Sequence, residues 1–164
     1  MAWAKLGTET LGSAGDTLEV SFTAKKYLCI QSWQKAVTNT IVSRLRVGNS
    51  TIDTGTNYAY RSSNDGGADA TNLNDTNITL DPTVGAVGTS RFQIIFIVNN
   101  ASNEKLFIIH DVDGSTAGAT TAPKRTERVG KWVNTSNQID IIRVYNDSSG
   151  DFDTDSNLSA LGTD

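Results

Sequence analysis

Arg91-Phe-Gln-Ile-Ile-Phe-Ile-Val98, then Asn99-Asn-Ala-Ser-Asn-Glu104, then Lys105-Leu-Phe-Ile-Ile-His110: this is the most apolar part of the chain, and the rest of the structure has to be arranged around it. Ile, Phe and Val dominate both runs, each run is short, and the connector is polar. The pattern predicts two antiparallel strands joined by a hairpin rather than a helix. Phe92, Ile94, Phe96 and Val98 point one way, and Gln93, Ile95 and Ile97 the other. Apolar residues in both phases predict a strand in the middle of a sheet, with something packed over each side.

Working outward, the same period-2 pattern recurs. Thr17-Leu-Glu-Val-Ser-Phe22 alternates cleanly, with Leu18, Val20 and Phe22 inward. Tyr27 to Trp33 is apolar on both faces at its centre, and Ile41 to Val47 sets Ile41, Leu45 and Val47 against Val42, Arg44 and Arg46. Asn57 to Arg61, with Tyr58 and Tyr60 on one side, Asn77 to Leu80 (stopped by Asp81-Pro82), Lys124 to Val133, Gln138 to Tyr145 and Asn157 to Leu161 complete the series with the weakly alternating Trp3 to Leu11. Ser62 to Thr71 and Ser115 to Pro123 carry no apolar anchor and read as exposed loops. About ten short strands with polar turns predict an all-β chain, a jelly-roll-like antiparallel β-sandwich spanning residues 1–164 as one domain.

Composition agrees. Of 164 residues, 37% are hydrophobic and 20% charged, and the balance is Asn, Thr, Ser, Asp and 14 Gly, a turn-rich mixture. The formal net charge of −4 disfavours a phosphate backbone as partner, so no nucleic-acid binding is expected. Lys124-Arg125-Thr-Glu-Arg128 with Lys131 is the densest basic stretch, and it reads as the wet face of a strand. The single cysteine, Cys29, has no disulfide partner within the chain and reads as a buried thiol. Met1 to Lys5 lacks an apolar signal region and no run reaches membrane-spanning length, which predicts synthesis in a cytoplasm without membrane insertion.

The chemistry-bearing residues do not converge. His110, the only histidine, precedes Asp111 and Asp113, but neighbours in a strand face opposite ways, and general acid–base work needs converging groups. Asp151, Asp153 and Asp155 alternate like the start of a calcium loop, yet Ser156 stands where such a loop needs Gly, and Gly162 where it needs Glu. No catalytic residue, cofactor or metal ligand is therefore assigned. Trp3, Trp33 and Trp132, or Tyr58 and Tyr60, are candidates for an exposed sugar-binding platform, but they read first as parts of the core or of an oligomer interface.

Several segments together resemble a family. Lys5-Leu-Gly-Thr-Glu-Thr-Leu-Gly-Ser-Ala-Gly-Asp-Thr-Leu-Glu-Val20, Phe22-Thr-Ala-Lys-Lys-Tyr-Leu28, Asn134-Thr-Ser-Asn-Gln-Ile139, Asn146-Asp-Ser-Ser-Gly-Asp-Phe152 and Leu161-Gly-Thr-Asp164 are similar to motifs of β-sandwich virion structural proteins of marine viruses of bacteria or archaea. The resemblance implies a non-enzymatic decoration, fibre or tail component, made in the host cytoplasm and located in the virion. Its partners would be its own copies, as a homo-oligomer, and other virion proteins. The alternative expectation is a carbohydrate-binding sandwich recognising host-surface glycans, and a hydrolase built around His110 is the third.

Overall fold

The computed structural model describes residues 2–37, 41–80, 88–114 and 118–164. Among them lie thirteen strands: β1 (Ala4–Thr10), β2 (Thr17–Ser21), β3 (Tyr27–Lys35), β4 (Ser43–Asn49), β5 (Thr51–Ile52), β6 (Tyr58–Asn64), β7 (Ala70–Asp75), β8 (Ile78–Thr79), β9 (Ser90–Val98), β10 (Lys105–Asp113), β11 (Lys124–Trp132), β12 (Ile141–Asn146) and β13 (Asn157–Thr163). They form a jelly-roll-like antiparallel β-sandwich. One sheet has eight strands in the order β1-β13-β3-β9-β10-β11-β6-β7; the other has five, ordered β2-β12-β4-β5 with β8 on the free side of β4.

The predicted hairpin is β9 and β10, paired antiparallel from Val98↔Leu106 to Arg91↔Asp113 at the centre of the large sheet. Lys105 closes its loop from inside: its ammonium donates to the carbonyls of Ala101, Asn103 and Asn134 at 3.3, 2.7 and 2.7 Å. Asn99 ties the hairpin to two distant segments. Its amide donates to the carbonyls of Lys25 and Ile139, both at 2.9 Å, and its side-chain oxygen accepts from the backbone N–H of Ile139.

Between the sheets, Leu18 and Val20 of β2, Leu45 and Val47 of β4, and Ile142 and Val144 of β12 pack against Leu28, Ile30, Ile95, Ile97, Phe107, Ile109 and Trp132. Tyr58 and Tyr60 join this core from β6. Gly130 gives room to the opposite layer: a Cβ there would sit 2.9 Å from Ile78 Cδ1 and 3.3 Å from Tyr60 Cβ.

Four expectations are corrected. The β9 strand is central but covered on one side only, because the five-stranded sheet stacks on the inner face; Phe92, Phe96 and Val98 stand exposed. The segment from Ser62 to Thr71 is not one long loop: β6 runs to Asn64 and turns at Asp65-Gly66, both at positive φ, into β7, which pairs back along it. Arg128 is not on a wet face but buried between the sheets, while Arg125 and Glu127 are exposed as expected. Cys29 is not enclosed in the core, because it falls in the outward phase of β3. Residues 118–123 are exposed as predicted, whereas Ser115 to Ala117 and the Asp81-Pro82 stop lie outside the described residues. No helix is long and apolar enough to cross a membrane among the described residues.

Candidate functional site

Strand register lays out the outer face of the large sheet in rows. One row reads Leu161, Cys29, Phe96, Ile108, Val129, Arg61 across β13, β3, β9, β10, β11 and β6. Towards one end the next row is Thr163, Tyr27, Val98, Leu106, Lys131, Ala59. Towards the other it is Ser159, Gln31, Ile94, His110, Glu127, Ser63, followed by Asn157, Trp33, Phe92, Val112, Arg125. Strands β9 and β10 are thus apolar outward along almost their whole length.

Eight large apolar side chains are exposed on or beside this face: Trp3, Phe92, Phe96, Val98, Leu106, Ile108, Val112 and Val129, each between 40% and 56%. Together they leave on the order of 600 Å² of apolar surface in water, at the upper end of what single chains expose. Six of them, Trp3, Phe96, Val98, Leu106, Ile108 and Val129, line a trough of about 530 Å³ together with Tyr27. A polar pocket of about 330 Å³ continues it, sharing Ile108 and Val129 and lined also by Arg61, Ser63, Asp69, His110 and Glu127. The charges here are paired at the surface: Lys131 with Glu104 at 2.8 Å, Arg125 with Glu127 at 3.3 Å, and Arg61 with Asp69 at 3.7 Å. Burial pushes the Cys29 thiol pKa up, which disfavours the thiolate.

The inner face beneath this surface is polar at one end. Gln34 donates to Gln93 at 2.9 Å, and Gln93 donates to Asp111 at 2.7 Å. Arg91, only 3% exposed, reaches Asp111 at 3.2 Å and Asp113 at 2.7 Å. Asp111 and Asp113 are therefore spent on a buried arginine, while His110 is exposed on the opposite face. The split expected from strand alternation is what the structure holds.

The carboxylate near the imidazole comes from elsewhere: Glu127 is the register partner of His110. Ser63 is the register partner of Glu127, so the row reads hydroxyl, carboxylate, imidazole. A nucleophile triad needs the imidazole in the middle, taking the proton from the hydroxyl. Ser63 Oγ instead donates to the carbonyl of Gly67 at 2.8 Å.

The other candidates are dispersed. Trp132, Tyr58 and Tyr60 are buried, and Trp132 Nε1 donates to Asp53 at 2.7 Å. Burial alone would raise the Asp53 pKa, but hydrogen bonds from Trp132, Gly55 and Asn57 outweigh it and hold it low. Trp33 is half-buried beside Phe92 on the outer face. Asp153 pairs with Lys35 at 2.6 Å, which holds its carboxyl low, whereas a hydrogen bond shared with Asp16 raises that of Asp151. Among the described residues no group of three or more His, Cys, Asp or Glu side chains is arranged to hold a metal ion.

What sequence reasoning missed was the exposure of Phe96, Leu106, Ile108 and Val129. A signal was present: Arg91, Gln93, Asp111 and Asp113 share the phase of Ile95, Ile97, Phe107 and Ile109, so the more uniformly apolar phase faces out.

No protein-family model matches the chain, and no curated protein matches it. Among solved structures, it is similar to alginate lyase Aly36B variants bound to an alginate tetrasaccharide (10% identity, TM-score 0.33, covering 96% of this chain and 79% of that one) and to an alginate trisaccharide (10%, 0.34, 96% and 80%). It is also similar to the CBM2 module of the evolved Dit of Lactobacillus casei BL23 phage J-1 (9%, 0.28, 100% and 81%). At such identities and TM-scores none of the three assigns a role to this chain.

Proposed function

We propose that the chain is a non-enzymatic binding module whose working surface is the outer face of the eight-stranded sheet. Its occupants are further copies of the same chain and neighbouring proteins of a particle, the role of a decoration, fibre or tail component of a virion. One observation carries the reading: the most apolar strands of the molecule present Phe96, Val98, Leu106, Ile108 and Val129 to water. Their patch approaches the roughly 800 Å² that each partner contributes to a standard interface. The similarity of Lys5–Val20 and the other quoted segments to virion β-sandwich proteins supplies the setting. The order of Ser63, Glu127 and His110 supports a role without catalysis.

Sedimentation velocity over rising concentration tests it. The wild-type chain is expected to associate, and Ile108→Asp to stay monomeric with an unchanged melting temperature. A wild-type chain that remains monomeric at millimolar concentration overturns the reading.

A second reading, glycan recognition, is favoured by a different observation. Trp33 and Phe92 are cross-strand neighbours on the same open face as the pocket of Arg61, Asp69, His110 and Glu127, so stacking surfaces and hydrogen-bonding groups share one face of the sheet. Binding on a glycan array that is lost in Trp33→Ala and kept in Leu106→Asp, whose side chain lines the apolar trough but not this pocket, would select it over self-association.

A further inference from the structure

We infer that this face pairs with a second copy about a two-fold axis lying in the interface and running across the strands, along the row Leu161, Cys29, Phe96, Ile108, Val129. This rests on the self-association reading and adds the register. Such an axis sets each row against the row equally far on its other side. Val98 meets Ile94 of the copy, Leu106 meets His110, and Tyr27 meets Gln31.

The charges decide among the possible axes. Lys131 and Glu127 stand two residues either side of Val129 in the same outward phase, so this axis sets Lys131 opposite Glu127 of the copy, twice. Arg125, four residues from Val129, meets the strand end beside which Glu104 holds Lys131 at 2.8 Å, so a second pair of opposite charges adjoins the first. Arg61 lies on the axis row and would face itself, but brings Asp69 at 3.7 Å.

The rival axes do worse. A two-fold along β10 would lay Arg125, Glu127 and Lys131 over the apolar Phe92, Ile94 and Val98 of β9. One along β9 would lay them over the neutral Asn157, Ser159 and Thr163 of β13. Under either rival axis these charges keep only their own-chain partners, Glu104 for Lys131 and Glu127 for Arg125, and gain none across the interface, whereas opposite charges that face each other fix register.

Two probes test the axis, both on the full chain. Glu127→Lys and Lys131→Glu should each weaken self-association about tenfold or more, because every facing pair becomes like-charged. Mixed, the two variants should form a heterodimer near wild-type affinity, since Lys then faces Glu at both places. Cys29, the only cysteine, lies on the axis row and so faces itself across about 10 Å of stacked sheets. A bismaleimide of that span, added to dilute protein at half an equivalent per chain so that unmodified thiols remain, should give a covalent dimer on concentration, and Cys29→Ser none. Along β9 or β10 the two thiols would be further apart by two or four strand spacings. If the wild-type chain associates but either the heterodimer or the Cys29 cross-link fails to form, the axis is wrong while self-association stands. If the wild-type chain stays monomeric, both fall.

Discussion

The two outer faces of the sandwich obey opposite rules. On the five-stranded sheet the outward phase carries charge: Arg143 bonds Glu19 at 2.6 Å, Arg44 pairs with Asp147 at 3.2 Å, and Arg46 stacks on the Tyr145 ring at 4.7 Å. That is the usual arrangement of a half-buried antiparallel sheet. On the eight-stranded sheet the outward phase of β9 and β10 is Phe, Ile, Leu and Val, and the inward phase holds Arg91, Gln93, Asp111 and Asp113. A chain gains nothing in its own stability by leaving Phe96 and Ile108 in water while enclosing an arginine and two aspartates. Polarity therefore assigns inside and outside on the small sheet only; on the large one the stacking partner does, and the outward surface is left apolar.

The largest test of this contrast is the buried charge cluster. Arg91→Met removes a cation that bridges two enclosed carboxylates and is expected to destabilise the chain by about 3–5 kcal/mol in urea unfolding. A loss below 1 kcal/mol would mean that this end of the interior is wet. Next come two adjacent residues of β9. Ile95→Ala empties a fully buried site and should cost about 2–5 kcal/mol, whereas Phe96→Ser, one residue on and facing out, should stay within about 0.5 kcal/mol at concentrations where the chain is monomeric. Equal losses would erase the distinction between the faces.

The smallest effect is on pH. Asp153 and Asp164, held low by hydrogen bonds from Lys35 and Lys25, bind protons less readily folded than unfolded. Their contribution is present above the ordinary carboxylate value of 3.8 and is lost as pH falls through their lower folded values. Asp151, raised by its hydrogen bond with Asp16, works the other way: acidification through its folded value relieves the pair. The melting temperature should therefore rise slightly on mild acidification and fall below pH 3.8. Asp16→Asn should remove the rise and keep the fall.

Much of the fold was legible because period-2 alternation is local. Leu18 and Val20, Leu45 and Val47, and the hairpin from Arg91 to His110 declare their strands without reference to anything distant. The hairpin of β6 and β7 was not legible, since its residues from Ser62 to Thr71 are paired by backbone rather than by apolar side chains. The binding face was half legible. Apolar residues in both phases of β9 pointed to two covered sides, but which side the second sheet takes depends on β2, β4 and β12, which lie far off along the chain. Cys29 and Arg128 were misplaced for the same reason: a side chain's phase is readable, its direction is not.

Asn99 carries a consequence for the order in which the molecule can be made. Its amide spans Lys25, already synthesised, and Ile139, which follows it by 40 positions. A nascent chain that has emerged through the β9–β10 hairpin can satisfy only one of those links. The fastening therefore closes late, after β11 has been added, and a product truncated before Ile139 would keep its most apolar strands while lacking the clasp that secures them.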